Sequence, residues 1–263
     1  MNPIVQAEGA PVEQGRAQGA ALRGLIRGEV TRQGASLPWL ARIAVSKRVG
    51  ATSARSLQTQ LPWQRERIEG MAHAVGVPEA RLLFGEAQTR VQAAAFHDGA
   101  QLRAVFDLPR ELESLVVLRR SAPDAGGFTS VELTLAPLAG CLCGVNSEGI
   151  AAVCARDLSR DELSLRFLAQ ELLFRARDLD AGIDHLRRRA AYAGGSGLLV
   201  AADARGQVRE LRLRSGVLEV DSTPALPDCA RESHVALDPK LRRLELFGPG
   251  GSTEIARLDA APR

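Results

Sequence analysis

An α+β fold, with two sheets stacked between helical layers, is the architecture that the order of elements predicts. Three observations carry it. Helical periodicity occupies the chain up to about residue 88, and short turn-punctuated apolar runs follow from residue 91. Two amphipathic helical stretches, around 159–176 and 178–190, then separate those runs from a second set of strands. Together they predict one domain, with residues 1–88 a helical N-terminal region and 89–250 an αββα sandwich.

In the first region, Val12, Ala20, Leu22, Leu25 and Ile26 fit one helical stripe. Gly15, Gly19, Gly24 and Gly28 fall in the same stretch. Each costs a helix about 1 kcal/mol relative to alanine, so the four together predict close approach by other backbone. A second helix is expected from Pro62 to Val75, with Ile68, Met71, Ala72 and Val75 on one face and Gly76 as its stop. Pro78 opens a short helix through Leu83.

The runs VQAAAF, QLRAVFDL, SLVVLRR, TSVELTLA, GCLCGVN and IAAVCA are divided by His-Asp-Gly, Asp-Ala-Gly-Gly and Asn-Ser-Glu-Gly. This pattern predicts a meander of antiparallel hairpins. Residues 139–145 and 150–155 are apolar on both faces, so their sheet should be covered on both sides. Ser159 and Glu162 have capping-box spacing ahead of the stripe Leu165, Leu168, Ala169, Leu172 and Ala176. Leu179, Ile183 and Leu186 mark the next helix. GLLVAAD, VRELRLR and GVLEV follow as strands, and HVALD with RRLELF as a last hairpin.

Composition narrows the function classes. The 34 basic and 31 acidic residues are spread along 263 residues without a charge run, and 4% of residues are aromatic. A nucleic-acid groove would need clustered arginine interleaved with stacking rings, so none is expected. No window is apolar enough to span a membrane and the N-terminus has no signal-peptide pattern. The expectation is therefore a cytoplasmic protein with no membrane partner. Nothing in the sequence indicates a cofactor or an oligomeric state.

PVEQGRAQGAALRGLI, GVNSEGIAAV and GLLVAADARGQVRELRL, in this order and spacing, resemble segments of the acyl-coenzyme A:isopenicillin N acyltransferase-like proteins. The resemblance runs from about residue 9 to 240. It implies the four-layer αββα sandwich of the N-terminal nucleophile hydrolases. It also implies a precursor that cuts itself before a cysteine, whose freed α-amine then serves as base in amide hydrolysis or acyl transfer. A small acyl or peptide-like ligand follows from the same likeness.

This chain departs from that pattern. Where the cysteine should open the first strand, EAQTRVQAAAF has none, and Thr89 is the one hydroxyl. Where the family reads Gly-Arg-Asn-x-Asp, this chain has Arg103, Ala104, Val105, Phe106 and Asp107. The asparagine expected near 194–199 is replaced by Gly194, Gly195, Ser196 and Gly197. Asp107 and Asn146 remain as remnant catalytic positions. The resemblance makes Asn146 an oxyanion-hole donor, whereas turn chemistry makes it a hairpin residue. Asp107 is equally readable as a strand-end residue ahead of Pro109.

Three function readings follow: a homologue that has lost self-cleavage and catalysis and acts as a binding or accessory protein; an active enzyme with Thr89 as nucleophile; and a metal or redox protein. Phe96, Phe106 and His234 are the candidate ligand-binding residues. Cys141, Cys143 and Cys154, with Cys229 and His234, form the candidate set for the metal reading. Their Cys-x-Cys spacing is poor for zinc, and buried packing is the default expectation. Of the other histidines, His73, His97 and His185 are expected at the surface, and Trp39 and Trp63 are expected to pack.

Overall fold

The computed structural model of the protein describes residues 4–35, 52–157, 164–193, 196–222, 234–248 and 251–258. It is an α+β fold whose sheet curls back on itself. Ser159, Glu162, Gly194, Gly195, Cys229 and Trp39 lie outside the described residues.

The N-terminal region is not purely helical. Ile4–Gly9 forms a strand (β1) with Val5 and Ala7 inward, too brief an alternation to stand out in the sequence. The helices α1 (Pro11–Ala21) and α2 (Arg23–Ala35) are separated at Leu22. Helical residues 52–60 (α3) lead to α4 (Pro62–Val75), which ends on Gly76 at φ 76°, a left-handed cap that suits glycine. α5 (Glu79–Gln88) runs five residues beyond Leu83, where the sequence reading ended it.

Glycine sets how the N-terminal helices meet. A Cβ on Gly15 would stand 1.8 Å from the Arg67 carbonyl oxygen, and one on Gly70 would stand 2.0 Å from that of Val12. Gly19 is pressed against Met71 in the same way. α1 and α4 are thus in backbone contact. The expectation of close approach fails at Gly24 and Gly28, which have nothing within 4 Å, because the chain turns at Leu22 and α2 leaves that interface. Gly70, the reciprocal contact on α4, was not anticipated.

Of the strands β2 (Gln92–His97), β3 (Leu102–Asp107), β4 (Val116–Pro123), β5 (Ser130–Leu135), β6 (Cys143–Asn146) and β7 (Ile150–Asp157), the last four form a meander and the first two a hairpin. The continuous six-strand meander expected from the sequence is broken between β3 and β4, because β3 pairs with β11 and β2 with β7. A one-turn helix, α6 (Arg110–Glu113), links β3 to β4. After α7 (Leu165–Arg175) and α8 (Leu179–Ala193) come β8 (Gly197–Asp203), β9 (Val208–Arg214), β10 (Val217–Asp221), β11 (Val235–Asp238), β12 (Arg243–Gly248) and β13 (Gly251–Arg257). β1 adds to β4 in parallel, so the N-terminal region shares the sheet of the remainder.

β7 is the junction of the sheet. One edge pairs along its length with β8. The opposite edge pairs first with β6, through residues 151–153, and then with β2 at Arg156. The two expected sheets are therefore one hydrogen-bonded sheet with three arms meeting at β7: β6-β5-β4-β1, β2-β3-β11-β12-β13 and β8-β9-β10. The second arm folds over the first, with β11 and β12 against β6.

The face of the first arm turned to the second carries Leu118, Val131, Leu133, Cys143, Val145, Ala151 and Val153, joined through direct cross-strand pairing, with half-buried Arg120 opposite Val131 on the same face. Its other face lies under α1, α4 and α7 and carries Arg119, Ser121, Ser130, Glu132, Thr134 and Asn146. All six are buried. On the second arm, Arg103 and Val105 of β3 are half-buried and Asp107 is exposed.

Gly15→Ala or Gly70→Ala should lower stability by about 2 kcal/mol or more, because the backbones must separate. Gly28→Ala, inside α2 with open space around it, should raise stability by about 0.5–1 kcal/mol. Urea unfolding of the three variants checks both signs.

Candidate functional site

The point where the resemblance places self-cleavage is the passage from α5 into β2. Thr89 caps α5: its backbone N–H and its hydroxyl both donate to the Gly85 carbonyl, at 3.0 and 2.8 Å. Arg166 of α7, fully buried, grips the same passage. Its Nη1–H donates to the Thr89 carbonyl at 2.8 Å, Nη2–H to the Glu86 carbonyl at 2.5 Å, and Nε–H to Glu86 Oε1 at 3.0 Å. Glu86 Oε2 accepts from the Ala139 N–H at 3.1 Å. Asp157 Oδ2 lies 3.5 Å from Arg166 Nη1 and accepts from the Ser164 hydroxyl at 2.5 Å. Ser164 also caps α7 by accepting from the Arg166 N–H, a role the sequence reading gave to Ser159. Burial pushes the Arg166 guanidinium down, but the charges of Asp157 and Glu86 outweigh it and hold the group above its ordinary value.

Asn146 is fully buried at the end of β6, on the face under α7. Its Nδ2 donates to the carbonyls of Leu173 and Ala176 at 2.9 and 2.8 Å, closing the C-terminal turn of α7. Its Oδ1 accepts from the N–H groups of Glu148 and Ile150 at 3.0 and 2.9 Å, forming the β6–β7 turn. Both amide hydrogens are thus already given to main-chain carbonyls. An oxyanion donor needs a hydrogen aimed at the reacting carbonyl, and Asn146 has none to spare.

Asp107 is exposed at the end of β3 opposite Gln92. His234 and Phe106 are brought together: the Phe106 N–H donates to His234 Nδ1 at 3.3 Å, and the His234 N–H to the Ala104 carbonyl at 3.0 Å. Phe96 is buried but pairs with Arg103, whereas Phe106 pairs with Ala93. The two rings therefore lie on opposite faces of the β2–β3 hairpin and cannot line one pocket together.

The thiols separate in the same manner. Cys143 pairs with Val153, which turns the adjacent Cys154 to the other face of the sheet. Cys141 precedes β6. All three are buried and free, and burial pushes each thiol pKa up, so the thiolate needed for attack or metal ligation is disfavoured. Among the described residues no three His, Cys, Asp or Glu side chains are grouped to hold a metal. Trp63 packs as expected, stacked on Phe174 with centroids 4.3 Å apart, and its indole N–H donates to Glu171 Oε2 at 2.6 Å.

A second buried network escaped sequence reading. Arg119 Nε–H and Nη2–H donate to Glu132 Oε2 at 2.8 and 2.5 Å, and Nη1–H to Gln18 Oε1 at 2.7 Å. Gln18 Nε2 donates to the Ala136 and Leu138 carbonyls. Gln170 and Ser130 complete the shell of Glu132. The usable signal was the polar alternation Ser130, Glu132, Thr134 beside glutamine-bearing, glycine-rich helices. Burial pushes the Glu132 carboxyl up, but Arg119, Arg67 and the hydrogen bonds from Ser130 and Arg119 bring it below its ordinary value.

The fold and these networks define an α+β protein with a polar, buried layer between its helices and its central sheet. No protein-family model matches the chain, and no curated protein matches it. Among the described residues no helix is long and apolar enough to cross a membrane.

Because the folded pKa of Glu132 lies below its unfolded value, its contribution to stability is complete above about pH 4.5 and is lost as pH falls through the folded value. Glu132→Gln should cost about 3–5 kcal/mol near neutral pH, by leaving Arg119 buried without its counter-charge, and should flatten the acid limb. Denaturant unfolding across the acid range reads both. Asn146→Ala should cost about 2–4 kcal/mol, since buried carbonyls and N–H groups lose their partner; thermal unfolding checks it.

Proposed function

We propose that this chain is a divergent relative of the acyl-coenzyme A:isopenicillin N acyltransferase-like proteins, built on the αββα plan of N-terminal nucleophile hydrolases. In this reading it acts uncut and without catalysis, as a binding or accessory protein. The observation that carries the reading is the commitment of the polar groups of Thr89 and Asn146 to structure, with Asp107 exposed away from them at the end of β3. The Thr89 hydroxyl donates to Gly85, its carbonyl is held by Arg166, and both Asn146 amide hydrogens are given to α7. Catalysis by this superfamily's route needs a free α-amine beside a nucleophile and a donor for the oxyanion. The ligand class implied by the likeness is a small acyl or peptide-like molecule.

Intact-mass spectrometry of the purified full chain should give a single uncut species, and assays with amides and acyl thioesters should give no turnover. A fragment beginning at residue 88, 89 or 90 overturns the reading in favour of an active enzyme. Thr89→Ala then decides the nucleophile: activity that survives the substitution removes Thr89 from that role.

A further inference from the structure

Arg67 projects from α4 into the polar layer and is 1% exposed. Its Nη2–H donates to Ser121 Oγ at 3.0 Å, while Nε and Nη1 meet no acceptor. The surrounding acceptors are committed elsewhere. Glu132 Oε2 takes two hydrogens from Arg119, Glu132 Oε1 takes the Ser130 hydroxyl, and Gln170 Nε2 donates to both oxygens. The Gln18 oxygen is taken by Arg119, and the carbonyls of Leu138, Ala139 and Gly140 by Gln18, Arg119 and Thr134.

Orientation of the amides follows from the carboxylate. Gln170 must turn its NH2 to Glu132, so its oxygen faces Gln64, whose Nε2 donates to it at 3.0 Å. The Gln64 oxygen is left buried and without a donor. Charge is also out of balance, since Arg67 and Arg119 face one carboxylate, Glu132. A buried charge without a counter-charge is strongly disfavoured. Burial and the neighbouring Arg119 charge push the Arg67 guanidinium down to about 9, which still leaves it protonated at neutral pH.

We propose that a small monovalent anion of halide size, chloride in ordinary salt, binds against the Arg67 guanidinium in the layer bounded by α1, α4, α7, β4 and β5. It accepts hydrogens that no protein group takes and cancels the single surplus charge. A divalent anion would reverse the imbalance, and the layer is closed to bulk solvent, with Gln14, Gln18, Gln64, Arg119, Glu132 and Gln170 only 0–2% exposed. The site ties α4 to the sheet and does not depend on the reading of function above.

Crystals of the full chain soaked in sodium bromide, measured at the bromine absorption edge, should show an anomalous peak within hydrogen-bonding reach of Arg67. In solution the melting temperature should rise as chloride replaces gluconate at constant ionic strength, with binding to the folded state alone giving a logarithmic dependence on concentration. Arg67→Met should abolish that dependence, and if the variant does not fold the bromide signal decides alone. An ordered water only, or Arg67 bonded to the Gln64 oxygen, with no anomalous peak and a melting temperature indifferent to the anion, overturns the proposal.

Discussion

Glu132 stands in the middle of a sheet, out of reach of water, and the structure around it is arranged to meet its charge. Arg119 faces it from the neighbouring strand, Ser130 from its own, and Gln170 from the helix above. Arg119 in turn needs Gln18 and the carbonyls of Leu138 and Ala139, which brings α1 down onto the sheet. An apolar layer would let these helices slide or rotate at little cost. A polar one holds each helix to one register, because a displaced donor or acceptor would be buried without a partner.

The same demand explains the closeness of α1 and α4. Arg67 lies on α4 and Gln18 on α1, and they must reach Ser121 and Arg119 of β4, while Gln64 of α4 meets Gln170 of α7 above the same region. Only with Gly15, Gly19 and Gly70 at the contact can the two backbones approach enough for both helices to do so. Arg166 plays a corresponding part at the entrance to β2, where one guanidinium holds two carbonyls and lies against the carboxylates of Glu86 and Asp157. This concentration of polar groups joins the N-terminal helices to the sheet. It also sets Thr89 and Asn146 among structural hydrogen bonds.

Asn146 illustrates how motif and role can part. It sits between Gly144 and Gly149 in a hairpin where spacing suggested a motif, yet its amide spans a turn on one side and a helix end on the other. Turn chemistry accounts for the Oδ1 half of this arrangement. The Nδ2 half depends on where α7 ends in space, which no local rule states. Cys154 carries a similar lesson, because a one-residue offset in pairing moved it to the opposite face from Cys143 and dissolved a cluster that spacing alone had allowed.

What the sequence determined by itself is local: α4 from Pro62 to its stop at Gly76, the glycine turns, the strands of both sets, and the buried stripes of α7 and α8. Each rests on periodicity or on backbone preferences that act within a few residues. Tertiary structure decided that β7 would join three arms of one sheet, that Phe96 and Phe106 would part, and that Glu132, Arg119, Arg166 and Arg67 would be buried. A charged residue carries the same side chain whether it faces water or a partner 13 positions away, as Glu132 is from Arg119. Only the assembled layers exclude the water, and only then does the pairing acquire its energy.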